Sequence, residues 1–403
     1  MNRRVVITGI GVICGIGRNL ASFRENLMAG RSGIRPISST ALGDIRFRRG
    51  AEVEDYNPAA YFDPRMSDFM DRFAQFAVIA AREATAQAGV VWTTELRENT
   101  AIVTGSCVGG QSSEDAGFRD IYHLGRNRVH PLTIPKTMAN AGASHISMEF
   151  GITGPAYTVS TACSSSAHAI GQAFHMIRSG QVELALAGGS EAPFSYGILK
   201  AWEAMRVVSQ DTCRPFSKDR TGMILGEGAA MFVLEPFEAA LARGAGILGE
   251  IVGFGMSSDA SHITQPSSEG AARAMRAALR DAEIAPEQVG YVNAHGTGTV
   301  ANDLTETKAI RDVFGAHTER LPVSSTKSMH GHALGAAGAL EASATVLGLH
   351  EGMLPPTVNF READPECALD LIIQKARPAA PEYALSNSFA FGGLNAVLAF
   401  KSS

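Results

Sequence analysis

The chain has 403 residues, of which 45% are hydrophobic and 19% are charged, and its formal net charge is −5 at pH 7. This composition excludes an intrinsically disordered protein and argues against a nucleic-acid-binding one, because the apolar content is high and there is no basic excess. The five cysteines are scattered and odd in number, which argues against a disulfide scaffold and against a zinc site of C-x-x-C pairs. No apolar run reaches the ~18 residues of a membrane-spanning helix. We therefore expect a cytoplasmic globular enzyme.

Short apolar runs followed by glycine are the most frequent local pattern, and they predict strands of a sheet that is covered on both faces. In chain order, these predicted strands lie at 4–8, 100–104, 156–160, 184–187, 230–234, 247–254, 290–293, 321–325, 384–386 and 396–400. Amphipathic stretches between them predict helices, which lie at 69–88, 165–180, 237–243, 270–283, 303–314 and 333–349. Strands and helices in alternation predict an α/β fold.

The order of these elements repeats weakly along the chain, which indicates a duplication. In each half, a strand with glycine is followed by a strand that leads into a helix, then by a glycine-containing strand and one final strand. The break is predicted near residue 245, so that the N-terminal half spans 1–244 and the C-terminal half spans 245–403. No proline- or serine-rich linker lies there, and we expect the halves to form one rigid body.

Cys163 is the first candidate for chemistry, because it lies where a predicted strand turns into a helix. The positive end of the helix dipole favours a thiolate at such a position. A sharp strand-to-helix turn also directs backbone N–H groups towards the space beside the sulfur. The alternative is a buried cysteine that serves only for packing, and the residues around Cys163 leave both open.

Two of the eleven histidines share a comparable position. His295 and His332 each follow a predicted strand and are flanked by glycine, and α/β folds usually build their sites at the carboxyl ends of strands. Together with Cys163 they form a candidate Cys-His-His site. A metal site is the competing hypothesis, since Cys163 and the pair His330 and His332 are possible ligands. No accompanying carboxylate spacing supports that hypothesis, and we expect no metal.

The glycine-rich loop around Phe391 follows the predicted strand 384–386. Neither a lysine nor a helix start follows this loop, which argues against a phosphate-binding loop. A backbone N–H donor near the nucleophile fits better, with Phe391 as a movable apolar cover. An ordinary glycine-rich turn is the alternative.

In combination and in this order, these segments resemble the β-ketoacyl-[acyl-carrier-protein] synthases of the synthase II type, over essentially the whole chain. The resemblance is carried by residues 161–165 (TACSS), 293–299 (NAHGTGT), 327–332 (KSMHGH) and 391–393 (FGG). It implies a thiolase-like fold, which is a duplicated α-β-α-β-α arrangement, and a dimer. It also implies that no cofactor is bound, since phosphopantetheine arrives on the acyl carrier protein.

The implied reaction is a decarboxylative condensation for fatty acid elongation. Malonyl-[acyl-carrier-protein] reacts with an acyl chain held on Cys163 and gives 3-oxoacyl-[acyl-carrier-protein]. The backbone N–H groups of Cys163 and Phe391 form the oxyanion hole, while His295 and His332 bind the malonyl thioester and stabilise its enolate. Lys327 supports the two histidines.

The resemblance implies further roles around these residues. Glu341 would support Lys327, and Thr297 and Thr299 would hydrogen-bond the phosphopantetheine arm. Phe391 and Thr264 would gate the acyl channel, and Val108 and Trp202 would line its acyl end. Arg206, with Arg65, Arg126 and Arg128, would contact the acidic carrier protein.

Two related classes of enzyme are disfavoured. Cys367 lies far from a glycine-rich loop, unlike the second cysteine of thiolases, and the inactive chain-length factors lack the nucleophile.

Some residues depart from the pattern of housekeeping synthases. Ala390 and Leu394 replace glycine and threonine of the FGFGGTN segment, and His330 replaces a small or hydroxyl residue. Asp68 and Phe69 lie where a basic pair is usual. These departures resemble nodulation-type synthases and ketosynthases that work with a chain-length factor. The alternative function is therefore a ketosynthase subunit of a specialised polyene, polyketide or nodulation-factor acyl pathway, in a heterodimer instead of a homodimer.

Overall fold

Eleven strands form one mixed sheet in the computed structural model, which describes residues 3–403. These strands are β1 (Val5–Cys14), β2 (Thr100–Gly105), β3 (Ala156–Val159), β4 (Leu184–Glu191), β5 (Gly228–Pro236), β6 (Gly249–Ser258), β7 (Val289–Asn293), β8 (Pro322–Ser324), β9 (Asp370–Leu371), β10 (Tyr383–Phe389) and β11 (Leu394–Lys401). Two short ribbons accompany the sheet, Arg35–Pro36 with Arg49–Gly50 and Met353–Leu354 with Arg377–Pro378.

The sheet contains the same strand order twice. Across the sheet the order is β9-β8-β7-β10-β11-β6-β1-β5-β4-β2-β3, and β1 and β6 pair antiparallel at its centre. Next to β1 lie β5 and then β4, and each is antiparallel to its inner neighbour in the sheet. Beyond them lie β2 and then β3, and each is parallel to its inner neighbour. Outwards from β6, the strands β11, β10, β7 and β8 repeat these directions in the same chain order. The predicted duplication is therefore present in the topology.

Helices cover the sheet and connect its strands. They are α1 (Leu20–Met28), α2 (Pro64–Asp68), α3 (Arg72–Ala88), α4 (Thr94–Glu98), α5 (Gln111–Tyr122), α6 (Thr133–Thr137), α7 (Ala141–Phe150), α8 (Ser165–Arg178), α9 (Tyr196–Met205), α10 (Phe237–Ala242), α11 (Ser268–Ala282), α12 (Val300–Phe314), α13 (Lys327–His330) and α14 (Ala337–Glu351). Single 3-10 turns lie at Pro58–Ala60, Pro286–Gln288, Gly315–Arg320, Leu334–Ala336 and Pro365–Cys367.

The helices form three layers. One layer lies between the two halves of the sheet, and each of the other two covers the outer face of one half. α3 packs on β1, β5 and β4, while α11 and α12 lie on the opposite outer side, where α11 contacts β6 and β11. α8 and α14 lie between the halves and contact each other and strands of both. Residues Ala337–Leu349 of α14 are all buried, and all of them except Glu341, Ser343 and Thr345 are apolar or glycine. The arrangement is the predicted α-β-α-β-α order.

Each predicted strand and helix overlaps an observed one, and the differences have local causes. The helix predicted from residue 69 begins at Arg72, because the Asp71 carboxylate accepts a hydrogen bond from the backbone N–H of Phe73 and caps it there. The helices that were not predicted are α1, α2, α4, α5, α6, α7, α9 and α13. Of these, α5 buries none of its side chains fully. Within residues 3–403, every helix is too short or too polar to span a lipid bilayer.

Close contact between β2 and the start of α8 requires glycine at position 105. A Cβ atom on Gly105 would lie 2.3 Å from the backbone nitrogen of Ser166 and 2.4 Å from the carbonyl carbon of Ser165. Real Cβ atoms do not approach backbone so closely, so the helix or the strand has to move. The absence of a side chain at Gly105 thus sets the position of α8 on the sheet.

We expect Gly105→Ala to lower the free energy of unfolding by about 1–3 kcal/mol or more, which is the usual range for overpacking. Denaturant unfolding followed by circular dichroism measures this change. Gly246→Ala is the matched control, because a Cβ there meets no atom within 4 Å, and its effect should stay within about 0.5 kcal/mol. Equal stability of Gly105→Ala and Gly246→Ala would contradict the packing argument.

Candidate active site

One cavity receives side chains from both halves of the chain, and it brings together many residues that the sequence analysis singled out. These residues are Cys163, Trp202, Thr264, His295, Thr297, Thr299, His332 and Phe391. The first two belong to the half that contains β1–β5, and the others belong to the half that contains β6–β11. Lys327 and Glu341 lie behind this lining, while Val108 and Arg206 lie outside it.

Cys163 is held in a tight turn between β3 and α8. The preceding residue, Ala162, has φ +51°, a left-handed conformation that costs a non-glycine residue about 1–2 kcal/mol. Hydrogen bonds hold this strained turn: the backbone N–H of Thr161 donates to Ser165 Oγ at 2.9 Å, and Ser165 Oγ donates to the carbonyl of Ala162 at 2.6 Å. The turn places Cys163 on the cavity wall directly before the helix.

Burial controls the ionisation of the Cys163 thiol, of which only 7% is exposed. Loss of solvation raises the pKa of Cys163 to about 11, while the ammonium of Lys327 and the backbone N–H groups of Phe391 and of Cys163 itself act in the lowering direction. The expectation that the helix N-terminus favours a thiolate is therefore outweighed by burial. The resting group is a thiol at neutral pH, with two backbone N–H groups close to its sulfur.

His295 and His332 each offer one N–H donor. Lys327 Nζ lies 3.2 Å from His295 Nδ1, and because an ammonium can only donate, this ring nitrogen is the acceptor. The backbone N–H of Leu334 donates to His332 Nδ1, also at 3.2 Å. Burial, with the nearby charge of Lys327, lowers the pKa of both imidazoles well below the usual range. Both rings are therefore neutral, with their proton on Nε2.

The two imidazoles are close neighbours on the cavity wall. Their ring centroids lie 5.4 Å apart with an interplanar angle of 86°. The edge of one ring thus faces the other, and both lie on the wall that also contains Cys163. The site therefore combines one sulfur and two imidazole N–H donors in a largely apolar surrounding.

Lys327 and Glu341 form an ion pair whose side chains are fully buried. Lys327 Nζ contacts Glu341 Oε1 and also donates to the backbone carbonyl of His295 at 2.7 Å. Its three donors are thus used by a carboxylate, a carbonyl and an imidazole. A buried ammonium without partners is strongly unfavourable, so this set of acceptors keeps a positive charge directly behind His295.

Two buried carboxylates that were not singled out from the sequence hold the loop of His295. Glu306 accepts hydrogen bonds from the backbone N–H groups of His295 at 2.8 Å and Gly296 at 2.7 Å. Asp303 accepts one from the backbone N–H of Gly298 at 3.2 Å. Both lie in the first turns of α12, three residues apart and hence on one face of the helix. Acidic residues at this spacing on the buried face are the sequence signal that could have found them.

The ring of Phe391 covers part of the cavity. It stacks on the indole of Trp202, with centroids 6.2 Å apart and an interplanar angle of 25°. The backbone N–H of Gly392 donates to the carbonyl of Ile263 at 2.8 Å. This bond ties the Phe391 loop to the exposed loop that carries Thr264. The two loops therefore form one mouth of the cavity.

Thr297 and Thr299 form a polar edge next to His295. Their hydroxyl oxygens lie 2.8 Å apart, within hydrogen-bond distance. Thr299 also caps α12, since its hydroxyl accepts from the backbone N–H of Asn302 at 3.3 Å. Further lining residues were not singled out from the sequence; they include Val207, Met223, His262 and Asn302.

His330 lies in the short helix α13, and both of its ring nitrogens have protein partners. Its Nδ1 lies 2.9 Å from the carbonyl oxygen of Gly331, and its Nε2 lies 2.9 Å from Thr326 Oγ1. Because the carbonyl can only accept, Nδ1 carries the proton and Nε2 accepts from the hydroxyl. Burial lowers the pKa of His330 to about 3. Across residues 3–403, no three His, Cys, Asp or Glu side chains are grouped to hold a metal ion.

Comparison with protein-family models matches most of the chain. Residues 2–240 match the N-terminal domain of beta-ketoacyl synthases, and residues 248–361 match the C-terminal domain. Nodulation protein E of Rhizobium sp. (strain N33) is 48% identical, with 100% of both chains covered. 3-oxoacyl-[acyl-carrier-protein] synthase 2 of Synechocystis sp. is 41% identical over 99% of this chain and 98% of that protein.

Among solved structures, the ishigamide ketosynthase/chain length factor superimposes with a TM-score of 0.96. The identity is 38%, and the superposition covers 100% of both chains. A similarity of this extent confirms the predicted thiolase-like, duplicated fold along the whole chain.

The raised pKa of Cys163 predicts a steep pH dependence of its alkylation. Below a pKa of about 11, the thiolate fraction grows about tenfold per pH unit, and only the thiolate reacts. We therefore expect the rate of carbamidomethylation of Cys163 by iodoacetamide to rise about tenfold per unit between pH 7 and 9. Peptide mass spectrometry measures the rate, with Cys163→Ala as the control for site assignment. A plateau below pH 8 would show that the helix N-terminus outweighs burial.

Proposed function

Because the chain belongs to the β-ketoacyl synthase family of condensing acyltransferases, we propose that it joins a malonyl unit to an acyl chain held on Cys163. Its substrates are acyl- and malonyl-[acyl-carrier-protein], and its product is 3-oxoacyl-[acyl-carrier-protein] for fatty acid elongation. The observation that carries the proposal is the single cavity lined by Cys163, His295 and His332.

In the first half-reaction, Cys163 Sγ attacks the carbonyl carbon of the acyl thioester. A tetrahedral oxyanion forms, and the backbone N–H groups of Cys163 and Phe391, both close to the sulfur, donate hydrogen bonds to it. The bond to the phosphopantetheine sulfur then breaks. The proton of the Cys163 thiol passes to that leaving sulfur, so no external acid or base is consumed.

In the second half-reaction, the malonyl thioester loses CO2. Its carbonyl oxygen becomes an enolate oxygen, and the Nε2–H groups of His295 and His332 donate hydrogen bonds to it. The enolate carbon attacks the acyl carbonyl on Cys163, and the Cys163 thiolate leaves and takes up a proton from solvent. Lys327 keeps the proton of His295 on Nε2, because its ammonium occupies Nδ1. Glu341 holds the ammonium of Lys327 in place through their ion pair.

The carrier protein is proposed to dock around the cavity mouth. Thr297, Thr299 and Thr264 line the cavity and offer hydroxyl groups to the amides of a phosphopantetheine arm. Arg206 is exposed at the end of α9 and lines a second cavity, which shares Trp202 with the first. That second cavity also contains Arg46, Lys200 and Glu203, and Lys200 pairs with Glu203 and Asp44. The exposed Arg65, Arg126 and Arg128 are proposed to add positive charge for an acidic partner, with Arg126 also paired with Asp120. Val108 and Trp202 are proposed to contact the acyl end.

A second candidate is a ketosynthase subunit of a specialised polyene, polyketide or nodulation-factor acyl pathway, acting with a chain-length-factor partner. The extent of the match to nodulation protein E and to the ishigamide ketosynthase/chain length factor favours it. The chemistry at Cys163 is the same, but the acyl chain and the partner differ. Condensation by the chain alone favours the first candidate, and condensation only with a co-expressed partner favours the second.

In the described part of the chain, the edge of the sheet at β3 is unpaired, and this supports a dimer, formed either by two copies of the chain or with a different partner. β3 ends the sheet and pairs only with β2, and its residues Ala156 and Tyr157 are exposed. Neighbouring α5, α6 and α7 expose apolar side chains, which include Phe118, Tyr122, Ile134 and Met148. An unpaired strand edge beside an apolar patch is a typical pairing surface. We propose that a second copy of the chain covers it, a chain-length factor being the alternative.

The proposed reaction predicts an acyl adduct on Cys163. We expect intact mass spectrometry to detect one acyl group per chain after incubation with acyl-[acyl-carrier-protein], and none with Cys163→Ala, which should also lose condensation by at least ~10³-fold. A panel of acyl chain lengths reports the preferred substrate. Full condensation by Cys163→Ala would exclude the proposed role of this residue.

The histidine variants separate the two half-reactions. His295→Ala and His332→Ala should each slow the release of CO2 from malonyl-[acyl-carrier-protein] by about 10²–10³-fold, the usual cost of a lost oxyanion donor. Both should still accept an acyl group on Cys163. Unchanged decarboxylation in both variants would contradict the assigned donors.

The proposed dimer predicts twice the mass of one chain in light scattering coupled to size exclusion. Met148→Glu places a charge on the apolar patch beside β3 and should shift the protein towards the monomer. Leu241→Glu is the control, because Leu241 is also exposed but lies on α10, away from this edge. A monomeric wild-type chain that pairs only with a co-expressed partner would favour the heterodimer.

A further inference from the structure

Glu191 is a buried carboxylate for which the proposed reaction has no use. It is the last residue of β4, its exposed fraction is 0%, and it lies behind the cavity instead of on its wall. Among residues 3–403 it takes part in no ion pair. Burial raises the pKa of Glu191 to about 7, while the hydrogen bonds that it accepts act in the opposite direction. A carboxylate in such a place is unfavourable unless donors surround it.

Four donors surround the Glu191 carboxylate, and they come from two distant segments of the chain. Oε1 accepts from Ser106 Oγ at 3.0 Å and from the backbone N–H of Val108 at 3.3 Å. Oε2 accepts from the backbone N–H of Cys107 at 2.6 Å and from that of Gly335 at 3.0 Å. The first segment is the loop after β2, and the second is the turn that directly follows His332. One carboxylate thus joins a loop of the first half to a turn of the second.

The contact between these segments is too close to tolerate a side chain at position 335. A Cβ atom on Gly335 would lie 2.4 Å from the backbone nitrogen of Cys107 and 2.6 Å from Glu191 Oε2. The carboxylate therefore sets the distance between the two backbones, since both donate to the same oxygen.

The two segments pack behind one apolar wall of the cavity. Cys107 and Leu334 pack in a cluster with Trp202, Val207 and Met223, and the last three line the cavity that contains Cys163. Cys107 is also close to the nucleophile: burial, Glu191 and Cys163 all raise the pKa of the Cys107 thiol. Glu191 therefore fixes the backbone of Cys107 and of the turn at Leu334, and these residues pack against the side chains that line the apolar wall.

We propose that Glu191 is a positioning residue that sets the acyl-chain selectivity of Cys163, by fixing the 106–108 loop and the 334–336 turn against each other. This inference rests on the proposed function, because it concerns the acyl chain that Cys163 receives. Glu191 does not touch the reacting atoms. Its effect is on the shape of the apolar wall against which the chain lies, and through Gly335 on the turn that carries the hydrogen-bond donor to His332.

Glu191→Gln tests this coupling with almost no change in volume. An amide offers one oxygen and one NH2 group, and the NH2 group needs an acceptor. Ser106 Oγ can accept a hydrogen bond from this NH2 group. The amide oxygen then still accepts from the backbone N–H groups of Cys107 and Gly335, while the backbone N–H of Val108 loses its acceptor. The variant should thus loosen the loop after β2 at Val108, while the turn after His332 keeps its hydrogen bond through Gly335.

The readout is the profile of acyl adducts on Cys163 across a panel of acyl-[acyl-carrier-protein] chain lengths, measured by intact mass spectrometry. We expect Glu191→Gln to change the ratio of longest to shortest adduct by roughly threefold to tenfold, as the loss of one hydrogen bond would. Iodoacetamide labelling of Cys163 and decarboxylation of malonyl-[acyl-carrier-protein] should stay within about twofold of wild type. Glu235→Gln is the control, since Glu235 is a buried carboxylate on β5 that pairs with Arg243.

Two results would overturn the inference while leaving the proposed function intact. One is a wild-type adduct profile in Glu191→Gln, and the other is an equal loss at all chain lengths together with slower iodoacetamide labelling. If wild-type Cys163 acquires no adduct at all, the proposed function fails and the inference with it. Ser106→Ala removes one of the four bonds to the carboxylate, together with the bond that Ser106 Oγ accepts from the backbone N–H of Gly109 in the same loop, and it should shift the profile in the same direction. An unchanged profile in that variant overturns the inference even if Glu191→Gln does not fold.

Discussion

The buried ammonium of Lys327 is the charge on which the arrangement of the site depends. It has no contact with solvent, so its three donors must be satisfied by protein groups, and these are the Glu341 carboxylate and two acceptors of His295. One consequence is a fixed tautomer of His295. Another is that the positive charge opposes protonation of both imidazoles, which therefore remain neutral N–H donors. The enolate proposed to form at this site would need donors of this kind, held in place before the substrate arrives.

The duplicated topology explains how residues far apart in the chain meet in one cavity. In both halves the third strand leads towards a helix of the middle layer, namely α8 after Cys163 and α14 after His332. These two helices pack against each other, so the turns before them come together. The second strand of each half ends in a loop, which carries His295 in one half and Ser106 in the other. β4 ends at Glu191 and its counterpart in the second half, β10, ends beside the Phe391 loop. A carboxylate and an N–H donor are thus brought to the same region.

Much of the fold followed from local patterns. Strands with both faces buried read as apolar runs, and β2 ends at Gly105, close to its predicted end. β1 and β4 instead continue through Gly9 and Gly188 to Cys14 and Glu191, because their hydrogen-bond ladders with β5 extend that far. The sulfur and the two imidazoles were identified because each lay at a strand-to-helix or strand-to-loop junction. The position of His330 could not be judged this way. Its spacing from His332 made the two residues a possible pair of metal ligands. In the structure, however, Nδ1 of His330 donates to the carbonyl of Gly331 and Nε2 accepts from the hydroxyl of Thr326.

The sequence by itself determined the α/β class, the duplication and the family to which its motifs point. It also singled out Cys163, His295 and His332 as candidates for one site. These are properties of periodicity and of short motifs, and they depend on neighbours in the chain. Only the tertiary structure decided the protonation states and the supporting carboxylates. The pKa of Cys163 depends on how completely folding removes water from it, and Glu191 gains its four donors from segments that are distant in sequence. Solvation and long-range hydrogen bonds arise only when the two halves close on each other, so no local pattern records them.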